Sequence, residues 1–184
     1  KYNKILPDMP FTGRELGKKI LEEEKITNVS INPIQQLDHY NPKEKKIHIA
    51  TDKLDKKSIT SIAVVAHEIG HAIQDKEKYK PLILRQSLIE KTMIFQRIGS
   101  FLLIIGLPSI FAFTKSPFIT LIAAIIIMGC LSTNVLIHLI TLPVEFDASF
   151  KRALPILKRF VPRENMYQCK SVLRAAALTY LAQS

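Results

Sequence analysis

The segment His67-Glu68-Ile69-Gly70-His71 contains the residue types of a zinc site at a spacing that suits a helix. Histidines four positions apart lie on one helix face, so their imidazoles can converge on one ion. Glu68 lies beside such an ion and not on it. Its carboxylate can take a proton from an attacking water and later deliver it to the leaving amine of a peptide. The motif therefore predicts His67 and His71 as zinc ligands and Glu68 as the general base of a metallopeptidase.

A catalytic zinc site needs a third protein ligand, with the fourth position left open. The candidates are three histidines and two carboxylates: His39, His48, His138, Glu145 and Asp147. Glu145 is favoured because it is the first carboxylate after two long apolar runs that return the chain to the side of His71. Asp147 is expected to orient a ligand imidazole, although charge pairing at a helix N-terminus explains it equally well. His138 is expected to be a neutral, hydrogen-bonded residue within the second run.

Three more residues are candidates for stabilising the oxyanion of a peptidase reaction, namely His39, Tyr40 and Tyr180. Each can donate a hydrogen bond to the developing charge. The alternative for each is a purely structural role, as a turn histidine or a buried tyrosine. The strand at Lys46–Ala50 could be an edge strand that pairs with an extended substrate, and the alternative is that it is simply a member of the sheet.

Local patterns predict the elements that position these residues. A capping box at Thr12 and Glu15 begins a helix that runs to about Lys25. Apolar residues at helical spacing predict a buried helix that carries the metal motif. The remaining predicted elements are a strand over 28–34, a turn over 38–42, a strand over 46–50, the motif helix over 58–75 and a last helix over 162–182.

Two apolar runs, residues 98–114 and 117–143, contain no charged side chain. As helices they would be about 25 and 40 Å long, whereas the hydrocarbon core of a bilayer is about 30 Å thick. We therefore expect a transmembrane hairpin over 92–142. It separates an N-terminal part, 1–91, from a C-terminal helical part, 143–184, which carries the third ligand. The alternative is a buried helical hairpin of a soluble protein.

The chain has 26 basic and 16 acidic residues, and all of the basic ones except Arg97 and Lys115 lie outside the predicted hairpin, on both sides of it. The link between the two runs contains only Lys115. Because positive flanks stay inside, both flanks are predicted to be cytoplasmic. A basic surface beside a bilayer attracts anionic lipid, and the sequence has no basic motif typical of nucleic-acid binding. We therefore expect the lipid bilayer as a partner and no nucleic acid.

The two cysteines, Cys130 and Cys169, have no metal-binding or disulfide spacing, so we expect free thiols and a reducing compartment. The chain begins at Lys1 and not at Met. We therefore expect that an N-terminal piece is missing.

Several blocks, in order along nearly the whole chain, resemble the neutral zinc metallopeptidase family of YugP-like bacterial membrane proteins. They are Asp38-His39-Tyr40-Asn41-Pro42, Ala66–Asp75, Tyr79–Arg85, Thr141–Ser149 and Ala175–Tyr180. The resemblance implies a gluzincin-type peptidase with His67, His71 and Glu145 as ligands and Glu68 as the base. It also implies a multi-pass protein of the bacterial cell membrane. Members of the family usually begin with an additional transmembrane segment.

The stretch Glu145-Phe146-Asp147-Ala148 also looks like the third-ligand helix of HtpX and Ste24-type proteases, which work at the cytoplasmic face. We predict an α+β, mainly helical fold, a zincin-like domain with a small sheet and a transmembrane hairpin. The predicted function is zinc-dependent endopeptidase action on membrane-associated or misfolded proteins at that face. The alternatives are a zinc-binding membrane scaffold or assembly factor without turnover, and a basic membrane-surface adaptor without metal.

Overall fold

The computed structural model describes residues 5–6, 9–35 and 37–182, except for the side chains of residues 90, 133–136 and 179–182. The described chain is mainly helical and contains a small sheet, in agreement with the predicted α+β class. Its first elements are α1 (Gly13–Glu23), β1 (Ser30–Ile34), β2 (His39–Asn41), β3 (Lys46–Ala50), α2 (Thr51–Leu54) and α3 (Ile59–Lys76).

A series of helices follows, beginning at Lys80. They are α4 (Lys80–Phe101), the π-helical turn Leu102–Gly106, α5 (Leu107–Thr114), α6 (Pro117–Leu131), α7 (Thr133–Phe146), the π-helical segment Asp147–Ala153, α8 (Leu154–Phe160), the 3-10 turn Arg163–Asn165 and α9 (Met166–Ala182). The chain divides into two compact units. One comprises residues 1–82 and 142–184, and the other comprises residues 83–141.

The first unit has a hydrophobic core built on α3. This helix begins after Ser58, whose side chain accepts a hydrogen bond from the backbone of Ser61. Most of its residues are buried, because α1, the sheet and the C-terminal helices pack around it. The capping box predicted for α1 is present, with Thr12 and Glu15 each binding the other's backbone N–H. The predicted helices at 12–25 and 58–75 are thus confirmed to within about two residues at each end.

The sheet has the strand order β1-β3-β2, with β1 parallel and β2 antiparallel to β3. Two expectations were wrong here. Lys46–Ala50 is the central strand and not an edge strand, and the segment predicted as a turn contains β2, which is an edge strand. The turn lies later, at residues 42–45, where Lys45 has a positive φ of 54°. Pairing of Tyr40 with Ile47 outweighs the local turn chemistry.

The second unit exposes many large apolar side chains. Phe113 is 88% exposed, Ile104 is 72% exposed and Phe118 is 70% exposed. Residues Lys80–Thr114 form a continuous helical stretch of 35 residues that is long and apolar enough to cross a membrane, by length and composition. The helix Pro117–Leu131 is apolar and shorter. An apolar surface of this extent is typical of contact with lipid or with another protein.

Candidate metal centre

The three motif residues lie in the buried middle of α3. His67, Glu68 and His71 are all less than 10% exposed. Their spacing places the two imidazoles on one helix face, where the ring centroids are 4.8 Å apart. Polar side chains are buried at a cost unless they have partners. The nature of those partners therefore indicates what the cluster can hold.

Glu145 is the third member of the cluster, at the end of α7. Its Oε2 atom lies 3.2 Å from Nε2 of His67 and 3.2 Å from Nε2 of His71. One potential ligand atom from each of the three residues lies within 4.8 Å of the others. Among the described residues, these three form the group that could hold a metal ion.

Ser149 fixes the orientation of the His67 ring. Its Oγ lies 2.9 Å from Nδ1 of His67 and donates to the carbonyl oxygen of Leu173 at 3.2 Å. Because the hydroxyl proton is directed to Leu173, the oxygen accepts from His67, whose Nδ1 therefore carries the proton. The Nε2 atom of His67 then has a free lone pair towards Glu145.

Gln74 fixes the orientation of the His71 ring in a similar way. Its Oε1 atom lies 3.0 Å from Nδ1 of His71. Its Nε2 atom donates to the carbonyl oxygen of Val144 at 2.9 Å and to Oδ2 of Asp147 at 2.8 Å. These two acceptors identify the amide nitrogen, so the amide oxygen accepts from Nδ1–H of His71.

The donor set fits a zinc ion. With both Nδ1 atoms protonated, two nitrogen lone pairs and a carboxylate oxygen face one another in a buried space. Such an arrangement is unfavourable unless a proton or a cation lies between the atoms. Two imidazoles and one carboxylate are a ligand set of catalytic zinc sites.

A close helix contact brings Glu145 to the histidines. Gly70 lies against the π-helical segment, and a Cβ atom at this position would be 2.6 Å from the carbonyl oxygen of Ala148. Any larger residue at position 70 would therefore force one of the two backbones to shift. Glu145, Asp147 and Ser149 all come from the end of α7 and the start of this segment, so one backbone contact positions all three.

Glu68 has the environment of a proton-transfer group. Burial raises its pKa to about 7, with His67 opposing the shift and Glu145 adding to it. The backbone of Tyr40 also acts against the shift and lowers the pKa of Glu68 slightly. A carboxyl group that ionises near neutral pH can both accept and release a proton.

The remaining candidates lie in different surroundings. His39 is exposed, stacks on His48 with ring centroids 4.8 Å apart, and its Nδ1 atom lies 2.9 Å from the carbonyl oxygen of Leu37. The hydroxyl of Tyr40 donates to Oδ2 of Asp75 at 2.5 Å. Neither His39 nor His48 belongs to the metal cluster found among the described residues. The side chain of Tyr180 lies outside the described part of the chain.

Sequence reasoning did not assign a role to Gln74, Ser149 or Arg152. Arg152 donates from Nε to Oδ2 of Asp147 at 2.7 Å. Asp147 thus contacts Gln74 and not a ligand imidazole. Helical spacing was the available signal, because Gln74 follows His71 by three positions and Ser149 follows Glu145 by four.

The chain belongs to the family described as "Putative neutral zinc metallopeptidase", whose model matches residues 1–184. It is similar to the "Putative membrane protease YugP" of Bacillus subtilis (strain 168), with 31% identity over 185 residues. The alignment covers 99% of this chain and 78% of that protein. No solved structure matches the chain. Membership in a zinc metallopeptidase family implies Zn²⁺ as the cofactor and a peptide or protein as the substrate.

Proposed function

We propose that this chain is a membrane-embedded, gluzincin-type zinc endopeptidase. In this proposal His67, His71 and Glu145 bind zinc, and Glu68 is the general base. The observation that carries it is the convergence of these buried side chains, with Nε2 of both histidines 3.2 Å from the Glu145 carboxylate. The segments that supply them are 74 positions apart in the chain.

The residues of the cluster have separate tasks in peptide hydrolysis. When bound, zinc polarises the scissile carbonyl and lowers the pKa of a water molecule. Glu68, whose pKa is raised to about 7, removes a proton from the attacking water and then protonates the leaving amine. Ser149 and Gln74 hold the histidines with Nε2 unprotonated, which is the form that binds a metal.

We further propose that residues 83–141 contain a transmembrane hairpin and that the active site faces the cytoplasm. The exposed apolar side chains of this unit support membrane insertion, as does the 35-residue helical stretch, which is long and apolar enough to cross a membrane. The basic residues before and after residues 92–142 support the cytoplasmic location of both flanks. In this arrangement 1–91 and 143–184 form one zincin-like catalytic domain. The expected substrates are membrane-associated or misfolded protein chains at that face.

Replacement of Glu68 by glutamine tests the proposal. Wild-type protein in detergent should hydrolyse members of a peptide library and contain about one zinc ion per chain. Glu68→Gln should lose at least about 100-fold in activity, because it removes the general base. It should retain its zinc, because Glu68 is not a ligand. Both quantities are measured on the same preparation, by product analysis and by elemental analysis.

The matched control is Glu164→Gln, the same change at an exposed position of the 3-10 turn. This variant should behave like the wild type. Equal hydrolysis by wild type and Glu68→Gln would contradict the assignment of Glu68. Tight zinc binding without any hydrolysis by the wild type would instead favour a zinc-binding scaffold.

A further inference from the structure

Gln74 connects one predicted zinc ligand to a buried ion pair. The side chain is fully buried on α3, and each of its polar atoms has a partner. Oε1 accepts from Nδ1–H of His71, and Nε2 donates to Val144 and to Asp147. Its partners therefore lie on both segments that supply the metal cluster.

The far end of this connection is a charged pair. Asp147 is 6% exposed. Its Oδ2 atom accepts from Gln74 at 2.8 Å and from Nε of Arg152 at 2.7 Å. Arg152 also donates from Nη1 to Glu77 at 2.7 Å and lies over the ring of Tyr79. The Asp147 carboxylate is thus held by two donors, the amide of Gln74 and the guanidinium of Arg152.

The hydrogen-bond directions follow from Asp147. An ionised carboxylate only accepts, so the amide nitrogen of Gln74 is fixed towards it. The amide oxygen is then fixed towards His71 and accepts from Nδ1–H. The result is one proton arrangement along Arg152, Asp147, Gln74 and His71, in which Nε2 of His71 keeps its lone pair. The corresponding partner of His67 Nδ1 is Ser149, which donates to a backbone carbonyl oxygen and not to a charged side chain.

We infer that Gln74, given the zinc site proposed above, is a positioning residue that transmits the fixed orientation of Asp147 to His71. It does so by selecting the Nδ1–H tautomer of His71 and by holding α3 to the segment that carries Glu145. An amide is required at this position because it must accept on one side and donate on the other. A carboxylate would accept from His71 equally well but would face Asp147 at 2.8 Å with a like charge.

Exchange of the amide and the carboxylate tests this inference. Gln74→Glu alone should weaken zinc binding by about tenfold or more, the range expected when a partner of a ligand is lost. Asp147→Asn alone should have a smaller effect, since the new side chain still offers an oxygen to Gln74 or Arg152. The double variant leaves a single carboxylate, at position 74, facing an amide at position 147 that can donate to it. Because the like-charge contact is removed, the double variant should bind zinc more tightly than Gln74→Glu alone. The affinity is measured on the full chain in detergent by competition with a chelator.

Two further measurements separate positioning from general stability. Nitrogen NMR of the metal-free protein, recorded at a pH where His71 is neutral, should show the Nδ1–H tautomer of His71 in wild type and a mixture of tautomers in Gln74→Met, which lacks the acceptor. Thermal unfolding of metal-free protein shows whether each variant folds. Gln168→Glu on α9 is the matched control for Gln74→Glu, and its zinc affinity should be that of wild type.

The possible outcomes distinguish this inference from the proposed function. A double variant that binds zinc as weakly as Gln74→Glu, or more weakly, would reject the connection through Gln74 while leaving the ligand set intact. An unchanged His71 tautomer in Gln74→Met would reject it as well. If Glu145→Ala binds zinc as tightly as wild type, the ligand set itself is wrong, and the role of Gln74 is rejected with it.

Discussion

Glu145 lies 74 positions beyond His71, yet its Oε2 atom is 3.2 Å from Nε2 of that residue. Asp147 is only two positions further, is equally buried and does not touch either histidine ring as a hydrogen-bond partner. Removal of the two carboxylates should therefore have unequal effects. Glu145→Ala is expected to weaken zinc binding by more than about 100-fold, because a ligand is lost, and Asp147→Ala by about tenfold.

Chelator competition measures both affinities, with Glu164→Ala as the exposed control that should bind like wild type. The reverse ranking, with Asp147→Ala the weaker binder, would reject Glu145 as the third ligand.

At the scale of single residues, the sequence was sufficient to predict the metal cluster but not the residues that orient its histidines. The spacing of His67 and His71 follows from helix geometry, and the order of the chain favoured Glu145 among five candidates. For Gln74 and Ser149 the only signal was their helical spacing from His71 and Glu145. Their other partners, Asp147, Val144 and Leu173, are brought to them by folding. A hydrogen bond between residues 24 to 73 positions apart depends on packing and not on local pattern.

At the scale of elements, the contact between Gly70 and Ala148 determines whether the metal cluster can form. A methyl group on Gly70 would lie 2.6 Å from a backbone oxygen, and neither backbone can yield without moving its helix. Gly70→Ala is therefore expected to destabilise the fold by about 1–3 kcal/mol. It should also weaken zinc binding, because Glu145 and Ser149 would move away from α3. Thermal unfolding and chelator competition measure the two effects.

Gly129→Ala is the matched control, since a Cβ atom there meets nothing within 4 Å and alanine favours a helix. Its stability should equal or slightly exceed that of wild type. Normal zinc binding by Gly70→Ala would show that the close contact does not position Glu145.

The elements themselves were predictable where local signals are strong. The capping box of α1 and the apolar spacing of α3 gave helices that the structure confirms. The turn predicted at Asp38–Pro42 was wrong because these residues make contacts with distant parts of the chain instead of a local turn. Asp38 accepts a hydrogen bond from the backbone of Ala50 and pairs with Lys53, so it is attached to the end of β3 and to α2. The three residues of β2 form a strand only because β3 is present to pair with them.

At the scale of the whole molecule, the chain contains two units of different character. Residues 1–82 and 142–184 bury a continuous hydrophobic core, whereas residues 83–141 expose large apolar side chains. The two parts of the metal cluster lie on either side of that apolar unit in the chain. A site that both parts form requires both parts to lie on the same side of the membrane. This condition is met if residues 83–141 cross the membrane twice.

Single-cysteine labelling in intact cells tests this topology. With Cys130 and Cys169 replaced by serine, Lys115→Cys and Lys158→Cys each provide one thiol at an exposed position. Because positive flanks stay in the cytoplasm, a membrane-impermeant maleimide should label Lys115→Cys from outside. It should label Lys158→Cys only after the membrane is permeabilised. The opposite pattern would place the active site outside the cell, and equal labelling of both variants in intact cells would show that residues 83–141 do not form a transmembrane hairpin.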